Sequence, residues 1–259
     1  MLRTTLVFST LVCLLGIGAA RADDDPFAQL QETYDKAFES FMENAEKTGE
    51  YDAEHHPAIE FAARYRAYAE KHAGTPQAVP ALIWILKNGR SSSTDFPKAM
   101  KSVGWAMERL AADHAADPKI ADVLPNMQYL GWSVGEDKMM DFYEKVIKTN
   151  PEPTAKAVAT FNTAYTLYTS ESSNLFGLLK SKAKNKKRKQ RAGKLFRQLI
   201  RDYPKLSVAA RAEGFIYEIE HLQIGMKAPD IVGKDVDGKE IRLSQFHGQV
   251  VVLDFWGFW

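Results

Sequence analysis

Few residues in this chain could do chemistry, and they cluster at its C-terminal end. The run Val250-Val-Val-Leu-Asp-Phe-Trp-Gly-Phe-Trp259 holds one carboxylate, Asp254, among apolar and aromatic neighbours. Such a run suits a strand buried on both faces of a parallel sheet. A lone carboxylate there should have a raised pKa, as proton-transfer groups often do. The alternative is that Asp254 faces a polar end of the strand and is ordinary. The only cysteine is Cys13, close to the N-terminus. His55 and His56 are adjacent and point to different sides, so they make a poor metal pair; Glu54 and Glu60 do not rescue it, and solvated loop histidines are expected.

The first 22 residues explain the cysteine. Arg3 gives a positive start, Leu6 to Ala20 is apolar, and Ala20-Arg21-Ala22 fits a small-x-small cleavage site. This reads as a secretory signal peptide. The apolar stretch is shorter than the ~18–20 residues a span needs, which favours cleavage over an anchor and leaves no transmembrane segment in the mature chain. The expected location is therefore periplasmic or otherwise extracytoplasmic. The mature chain from residue 23 then has no thiol for a disulfide, a metal or catalysis. A net charge of +1 excludes a bulk field for nucleic acid. No nucleotide loop, Rossmann glycine triplet, nucleophile elbow or His-Glu-x-x-His is present, so no cofactor is expected.

Residues 23–222 must position whatever the C-terminus does, and they read as helical. Phe27, Leu30, Tyr34, Ala37, Phe41 and Ala45 recur at three and four residues until Gly49 stops the pattern. Pro57 falls near the first turn of a second helix. Four further turns carry a proline before a new apolar helix, at Pro76, Pro118, Pro151 and Pro204, which are 42, 33 and 53 residues apart. The tetratricopeptide period is about 34 residues, so the pattern resembles degenerate tetratricopeptide-like helical hairpins. A non-repetitive bundle with prolines at its turns fits nearly as well. Gly89 to Thr94 has turn composition. Trp84, Trp105, Met107, Trp132, Met139 and Met140 fall at helical spacing and are expected in the core. Lys180 to Lys194 holds nine Lys or Arg in fifteen residues. It reads as a patch for an anionic partner or, preferably, as a solvated helix extension or loop.

Residues 223–259 change character. Asp237-Gly238 between apolar residues signals a hairpin. Ser244 can cap a short turn through Phe246, and Gly248 ends it. Gly225-x-x-Ala-Pro-Asp230, Asp237-Gly238-Lys239, Leu243-Ser-Gln-Phe-His-Gly248 and Val250-Val-Val-Leu-Asp-Phe-Trp256 together resemble the opening of a redoxin domain. The family is the thioredoxin-like thiol–disulfide oxidoreductase and thiol-specific antioxidant group. The resemblance covers 36 of 259 residues. It implies the truncated start of a thioredoxin-like α/β domain, so the chain is expected to be mainly α, with the tetratricopeptide-like hairpins read above, followed by that start. It also implies an oxidoreductase acting on protein or small-molecule disulfide or peroxide substrates, with the helical region open to a protein partner.

In that family the strand leads to Trp-Cys-x-x-Cys at a helix start, where the first thiol is acidified and attacks disulfides. By resemblance Trp256 and Trp259 flank that site, and Asp254 is the buried carboxylate that moves the second cysteine's proton. The nucleophile is absent and expected after Trp259. Three accounts fit an ending there: a selenocysteine codon UGA read as a stop, a cysteine codon mutated to UGA, or an incomplete sequence. The first is the expectation. A non-enzymatic helical-repeat adaptor with a vestigial redoxin fragment is the alternative.

Overall fold

The computed structural model describes residues 25–128, 130, 134–169 and 182–257, with side chains from Lys186 onward in the last stretch. The expected signal peptide, Trp132, Lys180 and Trp259 lie outside the described residues. The chain divides into two compact units, one up to Val103 and one from Gly104 on.

The first unit is built from α1 (Pro26–Thr48), α2 (Ala58–Lys71), α3 (Ala78–Asn88) and the start of α4 (Phe96–Asp113). Asp25 caps α1 by accepting from the Phe27 N–H, Pro26 needs no donor there, and Gly49 closes it at φ +72°. α1 buries only Tyr34, as an amphipathic edge helix does. α3 is apolar nearly all round and is buried from Ala81 to Leu86. Its Trp84 stacks on Tyr65 at 3.8 Å and meets Tyr34 edge-on at 4.8 Å. The two tyrosine hydroxyls stay satisfied: Tyr34 donates to Asn88 and Tyr65 to Gln31, both at 3.0 Å.

The second unit continues through α5 (Leu124–Met127), α6 (Glu136–Thr149), α7 (Pro153–Thr169), α8 (Lys182–Asp202) and α9 (Ser207–His221). α7 is its centre, packed by α5, α6, α8 and α9. Small residues, Ala155, Ala157, Ala159 and Ala164, let neighbours approach it, and they are fully buried. Phe196 and Phe215 stack at 4.9 Å beside Phe161. Two buried asparagines tie loops to this core: Asn162 donates to the Leu124 carbonyl at 2.7 Å, and Asn150 donates to those of Ala115 and Asp117.

The mainly α reading therefore holds, with each proline turn lying between successive elements. Pro118 opens a short 3-10 helix capped by Asp117, and α7 begins on Pro153, two residues beyond Pro151. Gly89–Ser91 forms a 3-10 turn joining α3 towards α4. Trp84, Met107 and Met139 are core residues, whereas Trp105 and Met140 are half-buried. The basic run enters α8. His56 departs from expectation: it is buried, not solvated. Its Nδ1 accepts from the Ala58 N–H at 3.0 Å at the start of α2, against Phe38, Phe41 and Tyr51. His55 is exposed and bonds Asp52 at 2.7 Å.

Candidate functional site

The redoxin-like segment begins after α9, where Gln223 donates to the Glu218 carbonyl at 2.8 Å. The hairpin predicted around Asp237-Gly238 is present. β1 (Val232–Lys234) and β2 (Glu240–Arg242) pair antiparallel, with Gly233 opposite Ile241. Asp235 shapes the turn, accepting from the N–H groups of Asp237 and Lys239, and Gly238 takes φ +79°, which a side chain would disfavour.

The structure joins two of the segment's motifs that the sequence only places in order. Asp230, from Gly-x-x-Ala-Pro-Asp, accepts from the Ser244 backbone N–H at 2.8 Å and from its hydroxyl at 3.1 Å. The Ser244 N–H, its hydroxyl and the nearby Arg242 hold Asp230 below the usual carboxylate range. Ser244 is thus the capped residue of the short turn Leu243–Phe246, not its cap; Gln245 bonds back to the Arg242 N–H at 3.1 Å. Asp at this place could have suggested a capping role, but nothing in its spacing names a partner fourteen residues on.

Val250 to Phe255 does not form the expected strand. The segment makes no ladder bonds, and Val250, Val252, Phe255 and Trp256 are largely exposed. A strand exists only by pairing its N–H and C=O groups with a neighbour, and among the described residues this run has none. Asp254 is exposed as well, so the burial expected for it is not present. Trp256 lies two residues beyond it on the same exposed stretch. No residue from Ile224 to Gly257 is buried; Pro229, Leu243 and Phe246 are half-buried. No group of His, Cys, Asp and Glu that could hold a metal occurs among the described residues, and no helix there is long and apolar enough to cross a membrane.

Comparison with known proteins finds curated relatives that resemble a short part of this chain. Thiol-disulfide oxidoreductase ResA of Bacillus thuringiensis (strain Al Hakam) is 45% identical over 47 residues, 18% of this chain and 27% of that protein. The protein of the same name from Geobacillus thermodenitrificans is 42% identical over 45 residues, 17% of this chain and 26% of that one. The chain thus spans about a quarter of the length of the curated relatives it matches. These likenesses are confined to less than a fifth of this chain. No protein-family model and no solved structure matches the chain.

Proposed function

We propose that this protein is an exported thiol–disulfide oxidoreductase of the thioredoxin-like type, with its redox pair following Trp259. The observation that carries this reading is the identity with ResA proteins over 45–47 residues. The four ordered motifs of residues 224–259 are the supporting pattern. In this reading the Val250–Phe255 run becomes a central strand once neighbouring strands pair with it, and Asp254 becomes buried beside the second thiol. A carboxylate there takes up and returns the proton of the resolving cysteine. The attacking group, a thiol or a selenol, sits at a helix start, where the backbone N–H groups favour its anion. The substrates are disulfides of proteins or small molecules, or peroxides. The apolar leader supports export.

A second reading, a non-enzymatic helical adaptor, is favoured by one observation: among the described residues every buried one lies before Gln223 and none in 224–257. The nucleotide sequence beyond the Trp259 codon separates the two. An in-frame cysteine codon or UGA, a short spacer, a cysteine codon and about a hundred codons of α/β pattern support the oxidoreductase. A UAA or UAG with no such pattern beyond it leaves the adaptor.

A further inference from the structure

A groove of about 810 Å³ runs between α8 and α9 in the second unit. One wall presents Lys186, Gln190, Lys194 and Arg197; the other presents Ile219 and Gln223. Among the described residues no acidic one lines it. Gly193 forms part of the floor: a Cβ there would sit 3.5 Å from Arg197 Nη1 and 3.7 Å from Ile219 Cδ1. Two acidic residues of α9 are engaged, one of them by Arg197 of the groove itself. Glu220 pairs with Arg197 at 2.8 Å, and Glu218 accepts from the Tyr168 hydroxyl at 2.7 Å. Lys189 adds a further positive charge, its Nζ 5.6 Å from the Tyr168 ring centre.

We propose that this groove docks an extended acidic segment of a partner protein, with carboxylates on alternate residues. The register supports it. Lys186, Gln190 and Lys194 are four residues apart on a helix, a step of about 6 Å along its axis. Alternate side chains of an extended peptide recur at about 6.6 Å. The stripe from Lys186 to Arg197 spans about 16 Å, the length of about five extended residues. The Gln190 amide supplies a donor and an acceptor that peptide groups need, the Gln223 Oε1 supplies a further acceptor while its Nε2 is held by the Glu218 carbonyl, and Ile219 gives an apolar contact. A nucleic-acid strand lacks its usual platform among the described residues, none of which lines the groove with an aromatic face. A bilayer is a poor match, because Ile219 is the only large apolar side chain among the described lining residues, and Ala192, Phe196 and Leu199 of α8 are buried in the core. This inference stands apart from the redox reading and does not depend on it.

The test is fluorescence anisotropy of a labelled peptide with glutamates at alternate positions, titrated with the full chain. Lys186→Glu with Lys194→Glu should weaken binding about tenfold or more. Lys187→Glu with Arg191→Glu, the same charge change on the same helix but off the groove, should weaken it by no more than about threefold. Gly193→Gln, which keeps the charge and fills the floor, should also abolish binding while circular dichroism shows the helices intact. Equal losses from the two charge-reversed pairs would reduce the effect to a diffuse field and overturn the proposal. So would an unbound peptide, or tighter binding to phosphatidylglycerol vesicles that the groove pair leaves unchanged.

Discussion

Asn150→Ala removes three hydrogen bonds from one fully buried side chain. The Asn150 amide nitrogen donates to the carbonyls of Ala115 and Asp117, both at 2.9 Å, and its oxygen accepts from the Glu152 N–H at 3.0 Å. Truncation leaves two carbonyls and one N–H in place. A satisfied bond contributes about 1 kcal/mol net, and each orphaned buried group costs about 1–3 kcal/mol. The Asp117 and Glu152 bonds are only partly buried, so water recovers some of that, and a loss of about 3 kcal/mol is expected. Asn150→Asp keeps the shape but turns the donor into an acceptor facing two carbonyl oxygens. At neutral pH it should cost more than alanine. Burial raises the introduced carboxyl's folded pKa above the unfolded value of about 3.9. Its penalty is therefore full above the folded pKa and shrinks as pH falls towards the unfolded one. Urea unfolding followed by circular dichroism, with midpoints and slopes compared, measures both variants. An alanine variant within about 0.5 kcal/mol of wild type, or an aspartate no worse than alanine, would refute the reasoning.

Three further outcomes follow from the packing. His56 has its pKa lowered by burial, and its Nδ1 must stay unprotonated to accept from Ala58. Its stabilisation is full above the unfolded pKa of about 6.5 and is lost as pH falls through the lower folded value, so thermal unfolding from about pH 7.5 to about pH 5 should drop more steeply for wild type than for His56→Ala; parallel slopes would count against it. A Cβ at Gly89 would lie 2.5 Å from Val103 Cγ2, so Gly89→Ala should cost about 1–3 kcal/mol and be partly rescued by Val103→Ala, a coupling that a double-mutant cycle reads directly. Removing residues 224–259 should leave the melting temperature of the helical region within about 2 °C, because the described part of that segment buries no side chain; a larger fall would show that it is integral to the fold.

Much of the helical architecture was legible because its signals are local. Phe27 to Ala45 carries the period of α1, Asp25 and Gly49 mark its ends, and the prolines sit in turns where their missing N–H costs nothing. Asp237-Gly238 specified the hairpin for the same reason: the turn needs a positive φ at Gly238. What the sequence hid depends on contacts between distant residues. His56 looks like a loop histidine until Phe38, Phe41 and Tyr51 close over it. Asp230 meets Ser244 only because the hairpin folds between them. The Val250–Phe255 run has a strand's composition, yet composition cannot supply the neighbour that a strand must bond. Lys186 and Lys194 read as part of a charge run, and only the packing of α8 on α9 shows that they face one groove.

As proposed, residues 224–259 lead into a thioredoxin-like redox centre. The most direct measurement is mass spectrometry of the protein isolated from its native source, reduced, alkylated and digested. The expected result is a mature chain starting at Asp23 and a peptide in which Trp259 is followed by an alkylated cysteine or selenocysteine, with a second alkylated cysteine beyond a short spacer. A native chain whose C-terminal peptide ends at Trp259 and carries no alkylated residue would contradict it.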